Sequence, residues 1–279
     1  MSALTRLFAL AALALPLMHC AVESTDDEAV GDQSEDELRG KGTERWVYNG
    51  PLPHLVSPSV VVSQTSHTAR VTGTLPADFT GELPFYAERF GGNKVVIVYP
   101  IATGSSFNAQ PNSYGVNRVS PWVTNNEKAP WGGFPFIPYS GGVAFHGPIT
   151  KDASGDWRLI RGPVSHGCNR MQGEHVVELA HLFGVDMTTE IRTGVGISIP
   201  QVPVTVIRKD DVFEGKPVDV DYPAQRGVKR PAGARMFKTW DSKDYPAIVC
   251  AFTKTDAVDN KVPANYCAGV RGLRNARSL

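Results

Sequence analysis

Glycine and proline set the limits on this fold: 27 glycines and 21 prolines interrupt 279 residues. Proline removes a backbone donor and glycine weakens the interior of any regular element, so the chain reads as strands and loops rather than a helical bundle. Convincing helical spacing occurs at residues 173–183, where Val176, Val177, Leu179, Ala180 and Phe183 recur on one face. Elsewhere the signals are extended. Residues 60–74 carry β-branched side chains and predict one or two strands, and residues 83–87 a further extended run. Residues 94–101 (KVVIVYPI) predict a buried strand that 102–104 terminate. A short strand over 143–146 ends in a histidine, and 202–208 is another strand. Residues 122–137, rich in Pro, Gly and aromatics, predict a covering loop. The expected class is mainly β with one short helix, without internal repeats.

A hydrophobic share of 42% with 20% charged residues is a globular balance and excludes wholesale disorder. Lys plus Arg and Asp plus Glu are both 28, so no global charge points to a nucleic-acid partner. The charge is unevenly placed. Residues 21–38 hold eight acids and no base, which predicts a disordered tether. From Arg226 onward there are eleven bases and four acids. That end is either a solvated basic tail or a surface that meets an anionic envelope polymer or membrane.

Arg6 precedes about eleven apolar residues, the pattern of a secretory signal and too short for a membrane span. The run ends at Leu17-Met18-His19-Cys20, which resembles a bacterial lipobox in which Cys20 would be lipidated. Ordinary signal cleavage and an uncleaved anchor are the alternatives. Each of the three exports the chain.

The segment richest in chemistry is Ser165-His166-Gly167-Cys168-Asn169-Arg170-Met171. A free thiol is a poor nucleophile at neutral pH, but a neighbouring imidazole or a helix N-terminus can turn it into a thiolate. His146, followed by Gly147, stands at the end of a strand and is the second candidate. Zinc bound by His146, His166, Cys168 and His175 is the competing reading, but those spacings match no common structural set, and no C-x-x-C is present. His175, on the helix, reads as a solvated surface residue. The order His before Cys differs from that of papain-like enzymes. These residues alone describe an exported cysteine enzyme acting on an acyl group.

Ser165-His166-Gly167-Cys168 with Arg170 two residues on, and His146-Gly147 upstream, resembles the signature of the YkuD-type L,D-transpeptidases. The strand ending in Thr103-Gly104 resembles the family's strand with a Thr-Gly or Ser-Gly end. The resemblance implies a YkuD-like β-sandwich with one short helix over 83–208. A signal at 1–20, a tether at 21–44, an N-terminal β extension at 45–82 and a basic C-terminal extension at 209–279 flank it. It implies that Cys168 is the nucleophile and His146 the general base, oriented by a backbone carbonyl near Gly147. Backbone N–H groups around Gly167 and Cys168 would hold the oxyanion, and His166 and Arg170 would shape the pocket. Ser165 is a turn hydrogen bonder. Tyr139 either lines the oxyanion or donor site or is a core or lid tyrosine. No cofactor or metal is implied. The implied partners are peptidoglycan stem peptides and, through Cys20, a membrane; a monomer in the periplasm or on the outer membrane is expected. An L,D-carboxypeptidase, a hydrolase of wall links and a non-catalytic wall-binding lipoprotein are the competing functions.

The four cysteines divide by role. Cys20 is lipidated or removed, and Cys168 stays free as nucleophile. Cys250 and Cys267 remain as an even pair in an oxidising compartment. Their bridge is expected to contribute about 3 kcal/mol by loop entropy. Alkylating the mature protein should label one thiol quickly before reduction and two more after it.

Overall fold

The apolar run at 95–100 needs cover on both faces, and the way it obtains that cover organises the molecule. The computed structural model describes residues 47–48, 50–105, 108–120, 134–147, 159–187, 196–240, 248–250 and 274–275. The export signal with Cys20, the acidic tether, most of the covering loop and Cys267 lie outside the described residues.

In chain order the elements are β1 (Val47–Tyr48), β2 (Val56–Ser63), β3 (Thr68–Thr74), β4 (Ala87–Phe90), β5 (Lys94–Pro100) and β6 (Ala102–Gly104). There follow β7 (Asn112–Val119), β8 (Ile137–Ser140), β9 (Val143–His146), β10 (Gly162–Ser165), β11 (Asn169–Arg170) and the helix α1 (Gly173–Leu182). The last are β12 (Ile197–Ile207), β13 (Val212–Phe213), β14 (Lys216–Val220), β15 (Arg235–Phe237), β16 (Ile248–Cys250) and β17 (Arg274–Asn275). The fold is mainly β with one helix among the described residues, as expected. A six-stranded sheet runs β4-β5-β3-β2-β12-β7 and a five-stranded sheet β10-β6-β11-β9-β8. Two three-stranded sheets, β13-β14-β15 and β1-β16-β17, complete it.

Side chains alternate along a strand, so β5 offers one set to each face. Val95, Ile97 and Tyr99 enter the main core with Val60, Val62 and Val71 of the same sheet, Ile137, Val143 and Phe145 of the five-stranded sheet, and the apolar residues of α1. Val96 and Val98 face the other way and pack on Phe213, Val218, Val220 and Phe237. The C-terminal strands therefore supply the second cover. β2 and β3, from the segment read as a flanking extension, pair antiparallel with each other, and β3 pairs with β5. β12 returns to pair parallel with β2, Val204 opposite Val60.

Three local expectations need correction. Residues 83–87 form no strand. Pro84 has no N–H to give a ladder, its carbonyl accepts the Ala87 N–H in a turn at 3.0 Å, and β4 begins only at Ala87. Residues 102–104 do not simply end β5. The Ile101 N–H bonds to His67 O at 3.1 Å, and the chain passes into the second sheet as its inner strand β6. His175 is not solvated. Every residue of α1 is buried, and His175 Nε2 donates to the Trp240 carbonyl at 2.8 Å, because the chain beyond β15 folds across the face that sequence assigned to water.

That closure centres on Glu178, a fully buried carboxylate of α1. Its Oε2 accepts the hydroxyls of Tyr48 at 2.9 Å and Tyr86 at 2.5 Å. Its Oε1 accepts the Tyr99 hydroxyl at 2.5 Å and the Trp240 indole N–H at 3.2 Å. Burial pushes the carboxyl up from its ordinary range, and the tyrosine donors pull it back. A second fastening is Arg161, buried beside Asp219, which it meets in a short charge-assisted bond. Arg161 also donates to the carbonyls of Ser66, His67, Val220 and Tyr222. Both fastenings draw the C-terminal segment onto the two larger sheets.

Glu178→Ala leaves three phenols and an indole without their acceptor in a dry core and is expected to destabilise by about 3–5 kcal/mol. Tyr86→Phe, which removes one donor, should cost about 1–2 kcal/mol. Urea unfolding followed by tryptophan emission checks both, and equal midpoints for Glu178→Ala and wild type would refute the role of the carboxylate.

Candidate active site

The Ser-His-Gly-Cys string is a connection between two strands of one sheet. β10 ends at Ser165, the chain turns through His166 and Gly167, and Cys168 leads directly into β11. The turn is held from both sides. The Gly167 N–H donates to Ser165 Oγ at 3.2 Å, and the Ser165 carbonyl accepts the Ser105 N–H at 2.7 Å. Ser165, the last residue of β10, thus accepts a hydrogen bond from within the turn. The Gly167 N–H, expected at the oxyanion, is instead engaged by that hydroxyl. Cys168 is buried, and its thiol donates to the Gly142 carbonyl at 3.5 Å.

β11 pairs parallel with β9, Asn169 opposite Phe145 and Arg170 opposite His146, and the Met171 N–H donates to His146 O at 2.8 Å. This register brings the Cys168 segment beside the histidine from 22 positions upstream. His146 is buried, and its Nδ1 lies 2.8 Å from the Gly147 carbonyl. A carbonyl only accepts, so Nδ1 carries the proton and Nε2 keeps its lone pair. Burial pushes the imidazole down to about 3; the Gly147 carbonyl opposes the shift and the Arg170 guanidinium adds to it. At neutral pH the ring is therefore an uncharged base. Gly147 itself tolerates no side chain, since a Cβ there would lie 2.2 Å from the Phe134 ring. The Phe136 ring stacks 6.3 Å from that of His146.

Residues 84–220 match the model of the YkuD family, described as the L,D-transpeptidase catalytic domain. This stretch of the chain matches a YkuD domain. No curated protein matches the sequence. Among solved structures, L,D-transpeptidase 3 from Mycobacterium tuberculosis is similar at 20% identity, over 55% of this chain and 61% of that one, with a TM-score of 0.30. The L,D-transpeptidase from Xylanimonas cellulosilytica is similar at 13% identity, over 57% and 64%, with a TM-score of 0.31. A fused Zn-dependent amidase/peptidase/peptidoglycan-binding domain-containing protein from Clostridium acetobutylicum is similar at 12% identity, over 58% and 56%, with a TM-score of 0.31. The chain thus spans less than two thirds of the length of each, and likeness at these scores carries no functional weight.

The other expected site residues of the YkuD domain separate by burial. Arg170 is buried beside His146, whereas His166 is exposed at the turn. Tyr139 is a buried residue of β8, its hydroxyl donating to Asn169 Oδ1 at 2.6 Å. Burial, then the neighbouring Cys168, push its phenol upward, so it stays protonated. Cys250 lies on β16, but its pairing with Cys267 falls outside the described residues. Among the described residues no group of three or more His, Cys, Asp or Glu side chains is placed to hold a metal. Sequence reading missed Gly142 and Asn169. The Gly141-Gly142 pair between two short extended runs is a hairpin signal, and Asn169 is a polar residue inside an otherwise buried string.

Three of the buried histidines, His67, His146 and His181, give the domain a pH signature. Burial lowers His146 to about 3, and His67 and His181 to about 4, from an ordinary 6.5. Below that ordinary value the unfolded chain takes up protons that the folded chain refuses, so stability falls as pH drops toward the native values. Each group contributes a slope of at most about 1.4 kcal/mol per pH unit. Glu178, raised rather than lowered, acts oppositely and returns part of the loss as pH falls toward the ordinary carboxylate range. The melting temperature is expected to decline steadily from about pH 6.5 to pH 4. A flat profile would contradict the neutral state of these rings.

Proposed function

We propose that this chain is a cysteine acyltransferase of the L,D-transpeptidase type that acts on peptidoglycan stem peptides in the bacterial cell envelope. The observation that carries the reading is the parallel β9–β11 register, which sets the Cys168 segment against a buried, neutral His146 whose Nδ1–H is held by the Gly147 carbonyl. Such an imidazole has its Nε2 lone pair available for a thiol proton. The match of residues 84–220 to the YkuD family supports the reaction class.

The thiol begins protonated on the Gly142 carbonyl. Proton transfer to His146 produces a thiolate, which attacks the carbonyl of an L-configured centre in the donor stem. The C–N bond to the terminal D-Ala breaks, the imidazolium returns its proton to the departing amine, and a thioester remains on Cys168. The amine of a second stem then attacks the thioester, giving a new amide cross-link and restoring the thiol. Water in its place yields a shortened stem and a carboxypeptidase outcome. Arg170, buried beside the base, disfavours a standing imidazolium and so keeps His146 in its accepting form. The apolar run at 7–17 supports export, with the domain held in the periplasm or, through Cys20, on a membrane.

Incubation of the mature protein with purified muropeptides, followed by mass spectrometry, is expected to reveal cross-linked dimers or stems shortened by one residue. Cys168→Ala and His146→Ala should each lower turnover at least about a thousandfold, with the double variant no worse than either single one. Normal cross-linking by Cys168→Ala would sink the mechanism.

A further inference from the structure

The strand that follows the nucleophile contains a polar residue that packing does not require. Asn169 is buried in β11, where asparagine is a poor strand former and an unmet amide is costly. Its Oδ1 accepts the Tyr139 hydroxyl at 2.6 Å, from a residue 30 positions away on β8. The Tyr139 ring packs 5.0 Å from Phe145 and 5.9 Å from Tyr114, so the phenol is fixed from both sides. Replacing both members of a buried polar pair by apolar side chains of similar shape is close to neutral for stability. Folding alone therefore gives no reason for this pair.

The pair's place in the fold does. β8 and β9 form one hairpin, which carries Tyr139, the Gly142 carbonyl and His146 in turn. The chain after the nucleophile meets that hairpin residue by residue. Cys168 donates to Gly142 O at 3.5 Å, Asn169 accepts from Tyr139, and the Met171 N–H donates to His146 O at 2.8 Å. The backbone bond tolerates many side chains, and the thiol contact is long and weak. The short, directional O–H···O bond is the contact that sets the Cys168–Asn169 peptide at a defined distance from the hairpin. It also directs the phenol's proton to Asn169, so in this state Tyr139 is not an oxyanion donor.

We propose that Asn169 is a positioning residue for the nucleophile: by holding the Tyr139 hydroxyl across the β8–β9 hairpin, it fixes Cys168 relative to both the Gly142 carbonyl and His146. The inference rests on the cysteine acyl-transfer reading above. Loss of the bond leaves the thiol free to drift by a fraction of an ångström, enough to weaken proton transfer to the base without removing any reacting group.

A double-mutant cycle with Tyr139→Phe, Asn169→Val and the pair tests it in the mature, full-length protein. The readout is the rate of Cys168 alkylation by iodoacetamide between about pH 5 and 9. Each single variant should alkylate about tenfold more slowly near neutral pH, with a displaced pH midpoint, and the double variant should match the singles rather than multiply them. A purely structural pair would lower the urea midpoint and leave the alkylation midpoint unchanged, which would overturn the proposal. Tyr139→Phe keeps the ring and its packing, so it decides the matter even where Asn169→Val does not fold. A wild-type thiol no faster than free cysteine would instead count against the proposed function itself.

Discussion

Four hydrogen bonds to one buried carboxylate hold four distant segments of this chain together. Glu178 gathers Tyr48 from the first strand, Tyr86 from the turn before β4, Tyr99 from β5 and Trp240 from the segment after β15. A carboxylate is expensive to bury and repays the cost only when its lone pairs are filled. Once filled, it cannot release one donor without stranding the charge. The helix that carries it is thereby covered on every side, and the flanking segments become part of the domain rather than appendages. Arg161 does the same work at the other edge, where its guanidinium spans Asp219 and four backbone carbonyls.

This frame matters for the candidate site because Cys168 and His146 are set by two short strands, β11 and β9, with little hold on each other. β11 has two residues and β9 has four. Strands this short define a position only when something anchors their ends. β6 supplies one side, pairing with both β10 and β11, and the β8–β9 hairpin supplies the other. His146 Nδ1 is held by the carbonyl of its own neighbour, Gly147, which fixes the tautomer from the local backbone.

The chemistry-bearing residues were legible in the order of the chain. The string from Ser165 to Arg170 and the upstream His146-Gly147 are local patterns, and the family match over 84–220 agrees with them. The strand at 94–100 and the helix at 173–182 were legible too, because continuous apolarity and helical spacing are properties of neighbouring residues. Less legible was how each is used. The run at 95–100 is buried on both faces because a second layer, Phe213, Val218, Val220 and Phe237, arrives from more than a hundred residues later.

Sequence by itself determined the class of fold, the nucleophile and base candidates and the reaction class that their resemblance implies, since each rests on identity and spacing within a short window. Tertiary structure decided what those residues face. His175 is buried because Trp240 closes over it, Tyr86 turns inward because Glu178 waits there, and the Tyr139 hydroxyl is met in the core by the Asn169 amide oxygen, which accepts its hydrogen bond. Nothing next to Glu178 in the chain marks it as a buried carboxylate. A buried polar group is defined by its partners, and here they come from positions 62 to 130 residues away.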